Sequence, residues 1–239
     1  MAYTVVTGGG RGLGAAIALR LATDRNLIIG YRQDEKSAQA VADKVRELGA
    51  ICHVLQIDCA NEESVARFFA RVKDIGELEG LVNNAGSATA IGNLADNELT
   101  DIAADLNVNL LGPITCIKYA LPLLRSHGGG AIVNISSVAA ESGSPFTYVH
   151  YAAAKAGVEA LTVGLSKELA KDGIRVNAVS PGTLWTEFHK DPQRPAQIAE
   201  TIPMGRAGKP TEVAGAVAWL LSSEAAYTTG SVLKVSGGL

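Results

Sequence analysis

The stretch YVHYAAAK, residues 148–155, sets two tyrosines ahead of one lysine. Tyr151 and Lys155 stand at i and i+4, so on a helix their side chains lie one turn apart and can act on one small molecule. Tyr148 shares that face but sits two turns from the lysine, and spacing therefore favours Tyr151. A second stretch, TGGGRGLG at 7–14, has the composition of an anion-binding turn. Between a strand and a helix, such a turn lets backbone N–H groups and the helix N-terminus meet a pyrophosphate. Its glycines follow a GxxxGxG spacing at Gly8, Gly12 and Gly14, with no literal GxGxxG, and by themselves they also fit a tight turn that binds nothing.

The elements that must position these residues are legible as alternating short β-branched runs and longer stretches of helical period. YTVVT precedes GLGAAIALRLAT; NLIIGY precedes EKSAQAVADKVRELG; ICHVLQID precedes EESVARFFARVKDI; LEGLVNN precedes a long stretch to Leu124. AIVNIS, the YAAAKAGVEALTVGLSKELA helix, IRVNAVS, PTEVAGAVAWLLS and SVLKVSG complete the series. Near-continuous apolar strands alternating with helices predict a doubly wound parallel sheet of the Rossmann type: three layers, α/β/α, in one domain over 1–239. The rhythm breaks at 183–208, where Pro192, Pro195 and Pro203 punctuate a polar stretch. It follows the strand IRVNAVS, beyond whose carboxyl end ligands bind in such sheets, so we read it as a substrate flap rather than an idle surface excursion.

Composition narrows the partner. A chain of 239 residues, 47% hydrophobic and 19% charged, with a net charge of -3, has enough apolar content for one sizeable core. Basic and acidic residues are interleaved, which leaves no footprint for nucleic acid or an anionic membrane. The start, MAYTVVTGGG, has no basic segment leading into a long apolar run, and no window offers eighteen uninterrupted apolar residues, so the chain reads as cytoplasmic. Cys52, Cys59 and Cys116 show no CxxC, and His53, His127, His150 and His189 form no pair at ligand spacing; no metal is expected.

The second strand ends at Gly30, Tyr31 and Arg32, about twenty residues after the glycine turn, where an acidic residue would bond the ribose 2′-hydroxyl of NAD. None stands there. Arg32 and Arg11 instead offer guanidinium forks to a 2′-phosphate, which favours NADP(H) over NAD(H), although Asp34 and Glu35 lie close by.

With these features the whole chain resembles the short-chain dehydrogenase/reductase family, in its single-domain TGxxxGxG/YxxxK branch. The ordered set is Thr7 to Gly14, Asp58 after the third strand, NNAG at 83–86, Asn109 in NVNL, Ser137 in NISS, YAAAK, and Pro181–Gly182. The resemblance implies an oxidoreductase with a tetrad of Asn109, Ser137, Tyr151 and Lys155. Hydride reduction of a carbonyl leaves charge on oxygen, so the site needs an acid, Tyr151, and an oxyanion donor, Ser137. A free phenol ionises at about pH 10, and lowering that by two units takes about 2.7 kcal/mol. Lys155 and an oxidised nicotinamide are expected to supply this, with Lys155 also on the nicotinamide ribose and Asn109 holding a water that leads to solvent. Asn107 and Ser136 compete by position, and the family pattern selects Asn109 and Ser137.

The same resemblance implies a cofactor contact set of Gly8, Gly10, Arg11, Gly12, Leu13, Gly14, Tyr31, Arg32, Asp58, Cys59, Asn84, Ala85, Gly86, Tyr151, Lys155, Pro181, Gly182, Thr183 and Thr186. For the substrate we expect Ser137, Ala139, Glu141, Phe146, Tyr148, Leu184, Trp185 and Phe188, each aromatic equally well explained as packing. The chain is similar to 3-oxoacyl-acyl-carrier-protein reductases in its AAKAG and PMGR segments. It departs from them where basic residues would meet an acidic carrier: Gly129 and Gly130 follow His127 and Gly128, and Asp172 precedes Gly173, with only Lys171 nearby. A free ketone or aldehyde is therefore the expected substrate, the acyl-carrier thioester the alternative, and a non-catalytic NADP(H) sensor the alternative of another class. Family members are commonly homotetramers, and Ala152, Ala156, Ala160 and Gly164 form a small-residue stripe that would admit a neighbour or the subunit's own sheet.

Overall fold

The computed structural model describes residues 1–186, 188 and 191–239; of the four histidines, His189 lies outside these. The strands are β1 (Ala2–Thr7), β2 (Asn26–Tyr31), β3 (Cys52–Gln56), β4 (Glu77–Asn83), β5 (Gly130–Ile135), β6 (Ile174–Pro181) and β7 (Val232–Val235). Interleaved with them run α1 (Gly12–Leu21), α2 (Glu35–Glu47), α3 (Glu62–Ile75), α4 (Leu99–Leu106), α5 (Gly112–His127), α6 (Ala139–Ser142), α7 (Val149–Glu168), α8 (Arg194–Gln197) and α9 (Pro210–Leu221). All pairings are parallel and the order is β3-β2-β1-β4-β5-β6-β7, so the winding reverses between β1 and β4. This is the doubly wound α/β sheet expected from the alternation.

Strands as apolar as Ile132–Val133 and Leu27–Ile29 must bury both faces, and two clusters do so. One packs α1, α2 and α9 on one side around Ile17, Leu21, Ile29 and Val217; the other packs α3 and α5 around Phe68, Leu81, Leu124 and Ile132. Helix starts follow local chemistry. Asp34 caps α2 by accepting from Ser37 N at 2.9 Å, and Asn61 caps α3 by accepting from Ser64 N at 2.8 Å.

The stretch before Leu124 is less regular than its length suggested. A π-helical turn, Asn107–Leu111, joins α4 to α5 and carries Asn109 inward. Such turns widen the ladder by one residue and re-aim a side chain, which no period in the sequence announces. The segment 183–208 leaves and returns through a bridge between Leu184 and Gly208, with Gly208 N donating to Thr183 O at 2.9 Å. Its far end is tied by Met204 N to Gly237 O at 3.0 Å. No helix among the described residues is long and apolar enough to cross a membrane.

Candidate active site

At the carboxyl ends of the strands, around the reversal between β1 and β4, lies a cavity of about 530 Å³. Such a crevice is where doubly wound sheets bind ligands. Its floor is made of main chain. Thr7 Oγ1 accepts from the amides of Asn84 and Ala85, both at 3.1 Å, while Asn84 Nδ2 donates to Thr7 O at 2.9 Å and Gly8 O at 3.1 Å. The glycine turn and the NNAG turn are thus laced together. Gly8 has φ +64°, and a Cβ on Gly14 would lie 2.2 Å from Gly8 O, so neither position admits a side chain.

Gly8, Gly10, Arg11, Gly12, Leu13 and Gly14 line this floor, with Tyr31, Arg32, Asp58, Cys59, Asn84, Ala85 and Gly86 beside them. Pro181, Gly182, Thr183 and Thr186 close it from the β6 side. Thr186 reaches over the turn, 3.7 Å from where a Gly12 Cβ would stand. Gln33, Asp34 and Ser37 also face the cavity, and sequence reasoning did not assign them to it. Asp34 is occupied as a cap, accepting from both the Ser37 amide and, at 2.6 Å, the Ser37 hydroxyl. These bonds hold its carboxyl below the usual range.

The reactive end of the same cavity is lined by Ser137, Ala139, Tyr148, Tyr151, Lys155, Leu184 and Phe188. Tyr151 and Lys155 rise from α7 as the i, i+4 pair the sequence spacing described, and both are buried. Lys155 Nζ donates to Ile135 O at 2.9 Å and lies 5.5 Å from the centre of the Tyr151 ring. Burial pushes its ammonium down to about 8, because a charged amine gains little from so dry a site. Burial pushes the Tyr151 phenol up, Tyr148 and the Asp105 charge push it further, and the Ser137 hydroxyl's hydrogen bond opposes them. The protein's own groups therefore raise this phenol. The lowering expected from the sequence was assigned to Lys155 together with an oxidised nicotinamide, whereas desolvation leads among the causes acting on the phenol here.

The two serines part company as adjacent strand-end residues must. Ser136 Oγ turns to α7 and donates to Glu159 Oε1 at 2.7 Å, while Ser137 Oγ stays beside the phenol and accepts from Ala139 N at 3.1 Å. Asn109 does not line the cavity. It is fully buried behind Gly86, donating to Ser87 O at 2.6 Å and Asp105 O at 2.8 Å. A Cβ on Gly86 would meet Asn109 Oδ1 at 2.9 Å and Lys155 Nζ at 3.8 Å, so that glycine leaves the two side chains facing each other.

Three expected substrate residues stand elsewhere. Glu141 bonds Lys234 on β7 at 2.5 Å and is drawn away from the cavity. Phe146, at φ +63°, is 82% exposed, and Trp185 is half-exposed on the outer side of the segment after β6. Glu141 sits on the short α6 and Phe146 and Trp185 in loops, and linear proximity to Ser137 or Tyr151 did not encode where these segments point. Conversely Ser87, Ser142, Ser144 and Arg194 line the cavity without having been assigned to it. Arg194 Nε is buried with no hydrogen-bond partner among the described residues.

Residues 8–239 match a family model described as enoyl-(acyl carrier protein) reductase. The chain belongs to the short-chain dehydrogenase/reductase family. It is 41% identical to an uncharacterized oxidoreductase of Escherichia coli over 100% of both chains. It is 35% identical to a 3-oxoacyl-[acyl-carrier-protein] reductase of Staphylococcus aureus, covering 98% of this chain and 96% of that one. Among solved structures, acetoin dehydrogenase of Salmonella typhimurium superposes with a TM-score of 0.91 at 32% identity, over 99% of this chain and 95% of the other. As a short-chain dehydrogenase/reductase the protein is an oxidoreductase, and the family uses nicotinamide cofactors. Its cavity suits that group: a side-chain-free glycine floor for a pyrophosphate, with Arg11 and Arg32 at the strand end where an adenosine ribose would rest.

Proposed function

We propose that this protein is an NADP(H)-dependent carbonyl reductase, interconverting a ketone or aldehyde and its alcohol, with Asn109, Ser137, Tyr151 and Lys155 as its working residues. The observation that carries this reading is one cavity holding both the glycine floor and the Ser137–Tyr151–Lys155 group. When bound, the nicotinamide supplies the hydride and, once oxidised, a positive charge beside the phenol. In the reductive direction Tyr151 Oη gives its proton to the carbonyl oxygen as hydride reaches the carbon, and Ser137 Oγ donates a hydrogen bond to the same oxygen. Lys155 and Asn109, facing across Gly86, lie on the side from which the phenol is reprotonated. Selection of NADP(H) rests on Arg11 and Arg32 at the cavity wall, with Asp34 committed to capping α2.

The free-carbonyl reading is favoured over the acyl-carrier thioester by charge. Gly129 and Gly130 carry no side chain that could meet an acidic carrier, and Arg125, at the end of α5, is paired with Asp172 at 2.7 Å. A non-catalytic NADP(H) sensor remains the alternative, disfavoured because a sensor needs no buried phenol–lysine pair. The segment 183–208, hinged at the Leu184–Gly208 bridge, acts as the substrate flap. We place the chain in the cytoplasm as a homotetramer; Ala156, Ala160 and Gly164 of its small-residue stripe face outward, and Leu99 and Leu111 are exposed.

NADPH and NADH oxidation over a panel of neutral ketones, aldehydes, oxo acids and acyl thioesters, with Tyr151→Phe as blank, tests this. The oxo acids belong there because Arg194 adds a cation to the lining. Turnover with NADPH that vanishes in the variant is expected, and tight NADPH binding without any turnover would favour the sensor.

A further inference from the structure

Beneath the reactive end lies a polar cluster that the reaction chemistry above does not use. Asp105, in the last turn of α4, is 1% exposed, and His150 of α7 meets it with Nε2 3.2 Å from Oδ2. The carboxylate is also ringed by the loop that follows β4. Oδ1 accepts from the Ser87 hydroxyl at 3.1 Å, the Thr89 hydroxyl at 2.8 Å and the Thr89 amide at 3.1 Å. Oδ2 accepts from the amides of Thr89 at 2.9 Å and Ala90 at 3.1 Å. Burial alone would raise this carboxyl, but the hydrogen bonds outweigh it and hold it below the usual range. An ionised carboxylate only accepts, so the network assigns the Nε2 hydrogen to His150.

We infer that the Asp105–His150 pair is a positioning device for the proton donor, fixing the roll of α7 against the cavity wall. The inference rests on the reading of Tyr151 as proton donor. Adjacent helical residues project about 100° apart, so a bond that fixes His150 fixes the direction in which Tyr151 leaves the helix. The same aspartate holds the wall that Tyr151 faces: Ser87 lines the cavity, and Ala88 packs with Tyr148 and Tyr151. Its peptide oxygen also accepts from Asn109 Nδ2, which in turn bonds Ser87 O. One residue thus ties together α4, the wall loop, Asn109 and the helix of the phenol.

An apolar contact would hold these elements without the cost of burying a charge, so the carboxylate has an electrostatic consequence as well. The groups facing the phenol are Tyr148 on its own helix, Lys155 one turn on, the Ser137 hydroxyl after β5 and the Asp105 carboxylate from α4. Of these, Tyr148 and, to a lesser extent, the carboxylate disfavour the phenolate by Coulomb repulsion. In alcohol oxidation Tyr151 must begin as phenolate, so removing that charge moves the rise in rate to lower pH.

The test is the pH profile of alcohol oxidation with saturating cofactor. Asp105→Asn should move the acid-side limb of kcat/KM to lower pH. His150→Leu should lower kcat about tenfold with cofactor KM within about twofold, and His150→Gln, which can still donate, should recover most of that loss. Should Asp105→Asn fail to fold, judged by circular dichroism and NADPH binding, the His150 variants decide. Wild-type kcat in His150→Leu, or equal losses in the Leu and Gln variants, would overturn the device. Turnover by Tyr151→Phe would instead sink the proton-donor reading, whereas an inactive Tyr151→Phe beside wild-type Asp105 and His150 variants would remove only this inference.

Discussion

The two ends of the cavity are built on different principles. The glycine end presents main chain: the Thr7 hydroxyl and the Asn84 side-chain amide lace two turns together, and glycines at Gly8 and Gly14 let the strands of peptide approach. The reactive end presents side chains, with Asp105, Asn109, Ser137, His150 and Tyr151 arriving from α4, the π-helical turn, the segment after β5 and α7. A backbone cradle tolerates no added atom, while a side-chain site tolerates reshaping but is sensitive to charge. That difference leaves the glycine end fixed in shape while the other end can be rebuilt around its substrate.

Breaking the reactive end at its centre should have the largest effect. Tyr151→Phe removes the proposed proton donor and should lower kcat by about 10³-fold while NADPH affinity stays within about twofold, read by steady-state kinetics and fluorescence titration. At the opposite end Gly14→Ala drives a methyl to 2.2 Å from Gly8 O, and we expect a loss of about 3 kcal/mol in urea unfolding together with weakened NADPH binding.

Lys155→Met sharpens the contrast by separating stability from activity. The folded-state value of about 8 lies below the ordinary 10.5, so the unfolded chain holds a proton that the folded chain has released between those pH values. Stability of the wild type therefore rises with pH across that window, and below about pH 8 the charge costs on the order of 3 kcal/mol. The variant should be inactive, yet more stable than wild type at pH 7 by about 2 kcal/mol after losing the bond to Ile135 O, with the advantage fading toward pH 10. Thermal melts of the cofactor-free proteins at several pH values check the sign.

Arg32→Ala should raise the KM for NADPH about tenfold and leave that for NADH within about twofold, since only the former carries the extra phosphate. The smallest effect is expected from Glu141→Gln. Its exposed pairing with Lys234 lies outside the cavity, and kcat/KM and melting temperature should match the wild type.

The sequence by itself determined the architecture and the reactive pair. Apolar runs alternating with helical periods dictate a parallel sheet buried on both faces, and an i, i+4 spacing puts Tyr151 and Lys155 on one face because helical geometry is local. The TGGGRGLG turn was equally legible, since positive φ and close approach select glycine residue by residue. Only tertiary structure decided that Glu141 turns to Lys234 while Ser142 and Ser144 line the cavity, and that Phe146 and Trp185 stand out of it. It alone brought Asp105 to His150 across 45 residues and aimed Asn109 inward through a π-helical turn. Those placements depend on loop direction and helix roll, and these are fixed by packing between elements far apart in the chain, where no spacing along the sequence records them.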